Sequence, residues 1–212
     1  MIHFEKVGVT RHRTRILGNV SFDIRPGEKA GLTGPSGSGK STLLNALMGI
    51  FPVNEGRIIF ADKVVSSDSI REIRRSVAYI AQEPMLGAET VRDSILLPYG
   101  FRVNRAQKPG ETRIREMLTQ VGLAGDMLDR RVINISGGEK QRVAIARALL
   151  LGKKVFLCDE ITSALDAESR DIVLGIFQNP AFTMLSVSHD EKWLSACDRR
   201  LTVAGGTVTE ES

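Results

Sequence analysis

The run Gly34-Pro35-Ser36-Gly37-Ser38-Gly39-Lys40-Ser41 constrains this chain more than any other stretch. It matches a phosphate-loop pattern at every fixed position. Its flanks fit as well. Lys29 to Thr33 reads as a short strand running into the glycines, and Leu43, Leu44, Leu47 and Met48 fall at helical spacing from Lys40 to Gly49. A strand, a glycine-rich loop and a helix in this order place the loop at the carboxyl end of a strand in an α/β sheet. Glycines let the backbone wrap a phosphate and aim several N–H groups at it, and the following helix adds its positive N-terminal end. Lys40 is expected to reach the β- and γ-phosphates of a nucleotide, and the Ser41 hydroxyl to hold Mg²⁺.

The rest of the chain supports such a sheet. Apolar residues alternate at Ile2 and Phe4 and at Val20, Phe22 and Ile24, with a turn at Pro26-Gly27-Glu28. Arg57–Phe60, Val77–Ile80, Val155–Cys158 and Met184–Val187 read as further strands. Ile172, Val173, Ile176 and Phe177 line a helix, and a hairpin is expected around Gly205-Gly206. From about 84 to 150 helical signals dominate: Thr90 as a cap before Val91, then Ile114, Met117, Leu118 and Val121, then a long helix after Ser136. This is expected to be a helical subdomain inserted into a single domain covering residues 1–212.

Two further motifs carry chemistry. Val155 to Cys158 is a continuous apolar run, suited to a central strand buried on both faces, and Asp159-Glu160 follow at its end. Asp159 is expected to help hold Mg²⁺, and Glu160 to orient and polarise an attacking water. Ser136-Gly137-Gly138-Glu139 forms a capping box at a helix start. The paired glycines also leave bare N–H groups and room for a second anion.

Composition excludes several classes. Hydrophobic residues are 42% and charged residues 25% of the 212, the balance of a globular protein rather than a disordered one. The excess of Lys and Arg (29) over Asp and Glu (25) is mild, and aromatics are only 5%, so a nucleic-acid partner is not expected. No window is apolar enough to span a bilayer, and the first residues lack an export-signal pattern. Cys158 and Cys197 follow no metal or redox spacing and suit a reducing compartment, with Cys158 read as a small buried hydrophobe.

In order and spacing, Gly34 to Ser41, Gln82, Ser136-Gly137-Gly138-Glu139, Asp159-Glu160, Ser163-Ala164-Leu165-Asp166 and His189 resemble the ATP-binding subunit of ABC transporters. The resemblance runs from Ile2 to about Val208. It implies an α/β phosphate-loop NTPase core of ABC type, with an N-terminal antiparallel β subdomain and an inserted helical subdomain. It implies ATP and Mg²⁺ as ligands, with Thr42 joining the phosphate-loop residues. Gln82 resembles the glutamine that touches Mg²⁺ and couples the nucleotide to the helical subdomain. Ser136, Gly137 and Gly138 resemble the signature motif that contacts the γ-phosphate held by a second copy. Asp166 resembles an aspartate of the dimer seam, and His189 the histidine on the γ-phosphate. The implied assembly is a head-to-tail homodimer around two ATP, bound to a separate membrane permease at the cytoplasmic face. The segment Gln82 to Ser94 would contribute the coupling surface. The alternative is a cassette ATPase not tied to transport, although such chains usually carry two cassettes or a long insert.

The sequence departs from the family pattern in three places. The signature reads Ile135-Ser-Gly-Gly-Glu139 where Leu and Gln are common. Ile161 replaces the proline usual after the Asp-Glu pair. The aromatic that stacks on adenine would fall near Val9 to Arg13, and here stand Val9, Thr10, Arg11, His12 and Arg13. Either His12, Arg11 and Arg13 stack on the base, or the segment is an exposed basic loop. Weak base readout is expected, with ATP and GTP binding within about tenfold, or about 1.4 kcal/mol. Ser-Gly-Gly-Glu-Lys-Gln-Arg together with Asp-Glu-Ile-Thr-Ser-Ala-Leu-Asp is similar to the subunit of bacterial iron-export transporters, so iron is the expected cargo.

Overall fold

The computed structural model describes residues 1–210. The chain divides into two compact units, one of residues 1–77, 154–160 and 180–212, the other of 78–153 and 161–179.

The first unit opens with β1 (Ile2–Arg11) and β2 (Thr14–Ile24), then β3 (Lys29–Thr33), α1 (Lys40–Leu47), β4 (Glu55–Phe60), β5 (Lys63–Val64) and α2 (Ile70–Ser76). β1, β2, β4 and β5 form an antiparallel sheet in the order β2-β1-β4-β5. The apolar alternation dictates which face is buried: Ile2, Phe4, Val20, Phe22 and Ile24 all lie inside, with Phe4 and Phe22 stacked at 4.4 Å. The sequence carries no clear helical signal for α2, because Ile70 and Ile73 are its only apolar residues.

The second unit takes up the chain within β6 (Val77–Ile80) and continues through α3 (Val91–Leu96), α4 (Glu111–Gln120) and α5 (Gly137–Leu150). The capping signals work as read. The Thr90 side chain accepts from Asp93 N–H, and Ser136 and Glu139 close a complete capping box on α5. The Arg147 guanidinium of α5 turns inward and donates to the carbonyls of Met85 and Leu86 and to Ser94. It thereby ties the loop after β6 to the long helix, and burial lowers its pKa.

β7 (Val155–Asp159) belongs to the first unit, α6 (Ala167–Phe177) to the second, and β8 (Thr183–Val187), α7 (Glu191–Ser195), β9 (Arg199–Ala204) and β10 (Thr207–Glu210) to the first. Within the first unit the strands run β10-β9-β3-β8-β7, parallel except for the β9–β10 hairpin. Every residue of β7 and β8 is buried, in keeping with the apolar run Val155–Cys158; β8 also buries Thr183 and Ser186, whose hydroxyls accept from Gly27 N–H (2.8 Å) and donate to Ala30 C=O (3.4 Å), respectively. Cys158 is fully buried, and burial pushes its thiol far above the ordinary range, so it is an inert core residue. No helix among the described residues is long and apolar enough to cross a membrane.

Candidate functional site

Parallel strands deliver chemistry at their carboxyl ends, and the first unit uses three neighbouring ones. β3 leads into the glycine loop and α1, β7 ends in Asp159 and Glu160, and β8 is followed by Ser188 and His189. The backbone locks these ends together: Ser188 N–H donates to Leu32 C=O at 3.1 Å, and Glu160 N–H to Val187 C=O at 2.9 Å.

The loop conformation depends on Gly34 and Gly39. Gly34 sits at φ 129°, and a Cβ there would lie 2.1 Å from the Val203 carbonyl oxygen. Gly39 caps α1 at φ 108°, where a Cβ would meet the Leu17 side chain at 2.7 Å. Pro35, Ser36 and Gly37 are exposed, whereas Lys40 is buried. Lys40 Nζ curls back and donates to the carbonyls of Gly34 (2.8 Å) and Pro35 (2.9 Å). Burial lowers the pKa of its ammonium, and the Glu160 and Asp159 carboxylates partly oppose that. Ser41 and Thr42, on the first turn of α1, are half-buried.

Ser41 Oγ donates to Asp159 Oδ1 at 3.0 Å, joining residues 118 positions apart. A hydroxyl and a carboxylate oxygen side by side are the donors a hard divalent cation such as Mg²⁺ takes. Two features fit a polyanion in the loop: the Ser38 hydroxyl is buried without a partner, and no atom lies within 4 Å of where a Gly37 side chain would begin. Glu160 stands at φ 48°, a left-handed conformation that a glutamate adopts only under constraint. Its carboxylate faces His189, with Oε1 3.7 Å from Nε2. The histidine side chain is 52% exposed and the glutamate 23%, so both remain open to solvent.

The remaining sequence-predicted residues belong to the second unit. Gln82 is exposed in the loop after β6. Ser136, Gly137 and Gly138 form the start of α5, where Ser136 N–H donates to Glu139 at 2.7 Å and holds that carboxyl below its usual pKa. The backbone of Ala164 lies against Gly138. Asp166 caps α6, accepting from Ser169 N–H (2.8 Å) and Ser169 Oγ (3.1 Å), which lowers its pKa.

The segment lacking the adenine aromatic is a tight hairpin. His12 and Arg13 are its two turn residues, at φ 47° and 66°, and both are exposed. The Arg11 guanidinium lies over the Phe51 ring at 3.9 Å. Sequence reasoning missed this pair, since no local signal links two residues that far apart.

Known proteins resemble this chain over most of its length. The ABC transporter family profile matches residues 17–163. The chain is 33% identical over 207 residues to the probable iron export ATP-binding protein FetA of Escherichia coli K12, covering 96% of this chain and 91% of that protein. It is 35% identical over 222 residues to the methionine import ATP-binding protein MetN of Clostridioides difficile, covering 99% and 68%. Among solved structures, a dimeric post-hydrolysis state of the ATP-binding cassette MJ0796 bound to ADP and Pi superposes with a TM-score of 0.85 at 27% identity, covering 100% of this chain and 98% of that one. A bacterial Atm1-family ABC exporter with ATP bound gives 0.88 at 26% identity, covering 99% and 38%.

Proposed function

We propose that this chain, which belongs to the ABC transporter family as an ATP-hydrolysing cassette, is the motor subunit of a membrane transporter, and that two copies close head to tail around two ATP to drive a separate permease. The observation that carries the chemistry is the convergence of Lys40, Ser41, Asp159, Glu160 and His189 on the ends of three adjacent strands.

In this reading, Lys40 exchanges its two loop carbonyls for β- and γ-phosphate oxygens, and the loop N–H groups surround the phosphates. Mg²⁺ would be held by Ser41, Asp159 and Gln82, and supplies charge neutralisation at the phosphate oxygens when bound. Glu160 accepts a proton from the attacking water as the water oxygen bonds to the γ-phosphorus. The bond from that phosphorus to the bridging oxygen breaks, leaving ADP and phosphate. His189, beside Glu160, donates to a γ-phosphate oxygen. Ser136, Gly137 and Gly138 of a second copy complete the phosphate shell, with Asp166 at the seam. Loss of the γ-phosphate removes the shared contact and opens the dimer.

The expected location is the cytoplasmic face of the membrane, bound to the permease through Gln82 to Ser94. Iron export is the proposed cargo and direction, supported by the shared motifs and by the likeness to FetA. Glu160→Gln tests the motor. It should bind ATP, lower turnover by about 10²–10⁴-fold and accumulate as a dimer in gel filtration with ATP and Mg²⁺. A variant that stays monomeric at saturating ATP overturns the sandwich. For the cargo, deleting the gene should raise cellular iron, and unchanged metal content with loss of another transport would exclude iron.

A further inference from the structure

The second unit carries one segment whose chemistry the cassette cycle does not use. From Ser94 to Gly110 the sequence has no acidic residue and three cations, Arg102, Arg105 and Lys108. All three are exposed, and none has a side-chain ion pair among the described residues. The carboxylates that border the segment are already engaged. Glu111 holds Arg92 and Arg115, and Asp93 accepts from the Thr90 hydroxyl. The positive charge is therefore not neutralised locally.

Between and beside these cations stand Phe101, 66% exposed, and Val103, 49% exposed. A single exposed apolar side chain is ordinary, but an aromatic flanked by uncompensated cations in an acid-free stretch is not. The segment is also held in shape rather than left loose. Tyr99 is buried beneath it, Asn104 Nδ2 donates to Pro98 C=O at 3.0 Å, and Asn104 N–H to Phe101 C=O at 3.0 Å. A short 3₁₀ turn at Arg105–Gln107 then presents the next cations. Apolar side chains that enter an interface, rimmed by Lys and Arg that meet anionic headgroups, form the pattern that seats a protein on a lipid surface.

We propose that residues 101–108 dock on the anionic lipid of the membrane, Phe101 and Val103 entering the headgroup layer while Arg102, Arg105 and Lys108 meet phosphates. This rests on the peripheral-membrane reading above and adds to it a contact made with lipid, separate from the permease.

The test uses the purified chain and protein-free vesicles of phosphatidylcholine with and without phosphatidylglycerol, read by co-sedimentation. Each cation near an anionic surface contributes about fivefold, so the triple variant Arg102→Gln, Arg105→Gln, Lys108→Gln should lose roughly 100-fold in partitioning. Phe101→Ser should lose about tenfold. ATP turnover and circular dichroism should be unchanged in both variants, because no altered residue belongs to the nucleotide site. Equal binding to both vesicle types, or a triple variant that binds like the wild type, overturns the proposal. If the wild type ignores vesicles but co-purifies with a membrane permease, and the triple variant does not, the segment is a permease surface and the lipid inference falls while the transporter reading stands. Co-purification with no membrane protein, despite normal turnover, would instead remove the transporter reading.

Discussion

Gly137 and Gly138 are adjacent in sequence and equivalent in propensity, yet the structure separates them. A Cβ on Gly137 would find only the Ala164 methyl, at 4.0 Å, an ordinary contact. A Cβ on Gly138 would sit 2.8 Å from the Ala164 carbonyl oxygen, closer than real side chains come to backbone. Replacing either glycine by alanine relieves backbone entropy, a gain of up to about 1 kcal/mol in a helix interior and less in the first turn. At Gly137 that gain stands alone, so Gly137→Ala should be neutral or stabilising by about 0.5 kcal/mol. At Gly138 the carbonyl must move, and overpacking of this kind costs about 1–3 kcal/mol. The net expectation for Gly138→Ala is a loss of about 1–2 kcal/mol. Urea unfolding followed by circular dichroism should place the Gly138→Ala midpoint below wild type and the Gly137→Ala midpoint at or above it, with equal slopes. If Gly138→Ala is as stable as Gly137→Ala, the packing of the Ala164 carbonyl on α5 does not restrict this site.

Further outcomes follow from the same geometry. Lys40→Ala should abolish productive ATP binding, measured by equilibrium titration, because Lys40 is the buried cation aimed into the loop; unchanged steady-state turnover would contradict its role. The Glu139 carboxyl has its pKa lowered by the Ser136 N–H, so its contribution to α5 is present above the unfolded value of about 4.5 and is lost as pH falls through the lower folded value. The stability gap between wild type and Glu139→Gln should therefore shrink in acid below that pH, and a gap that widens there would reverse the sign. With Arg11 over Phe51 and His12 and Arg13 in an exposed turn, ATP and GTP should bind within about tenfold. Titrating both nucleotides against Arg11→Ala, His12→Ala and Arg13→Ala separates the readings: loss of affinity in any variant supports stacking on the base, and wild-type binding in all three supports the exposed loop.

What the sequence determined by itself is what physics settles within a few residues. The Ser136–Glu139 box and the Thr90 cap are short-range devices, each closed by bonds between neighbours; the glycine loop is legible from its spacing between a strand and a helix, although Gly34 and Gly39 are packed against Val203 and Leu17. The apolar run Val155–Cys158 of β7 likewise announces a strand buried on both faces. Recognition of the site rested on motif order, which is a property of the chain. Tertiary structure decided the rest. Nothing local brings Ser41 to Asp159, holds Glu160 at positive φ against Val187, or sets its carboxylate opposite His189; parallel strands in register do. α2 has no legible signal because an amphipathic pattern needs more than two apolar residues, and the role of Arg147 has none because a buried guanidinium is intelligible only once the carbonyls of Met85 and Leu86 surround it. The hairpin tip shows the division most plainly. Composition alone leaves Arg11, His12 and Arg13 alike, and the ring of Phe51, 40 residues further on, singles out Arg11, because a cation–π contact depends on where two side chains meet in space.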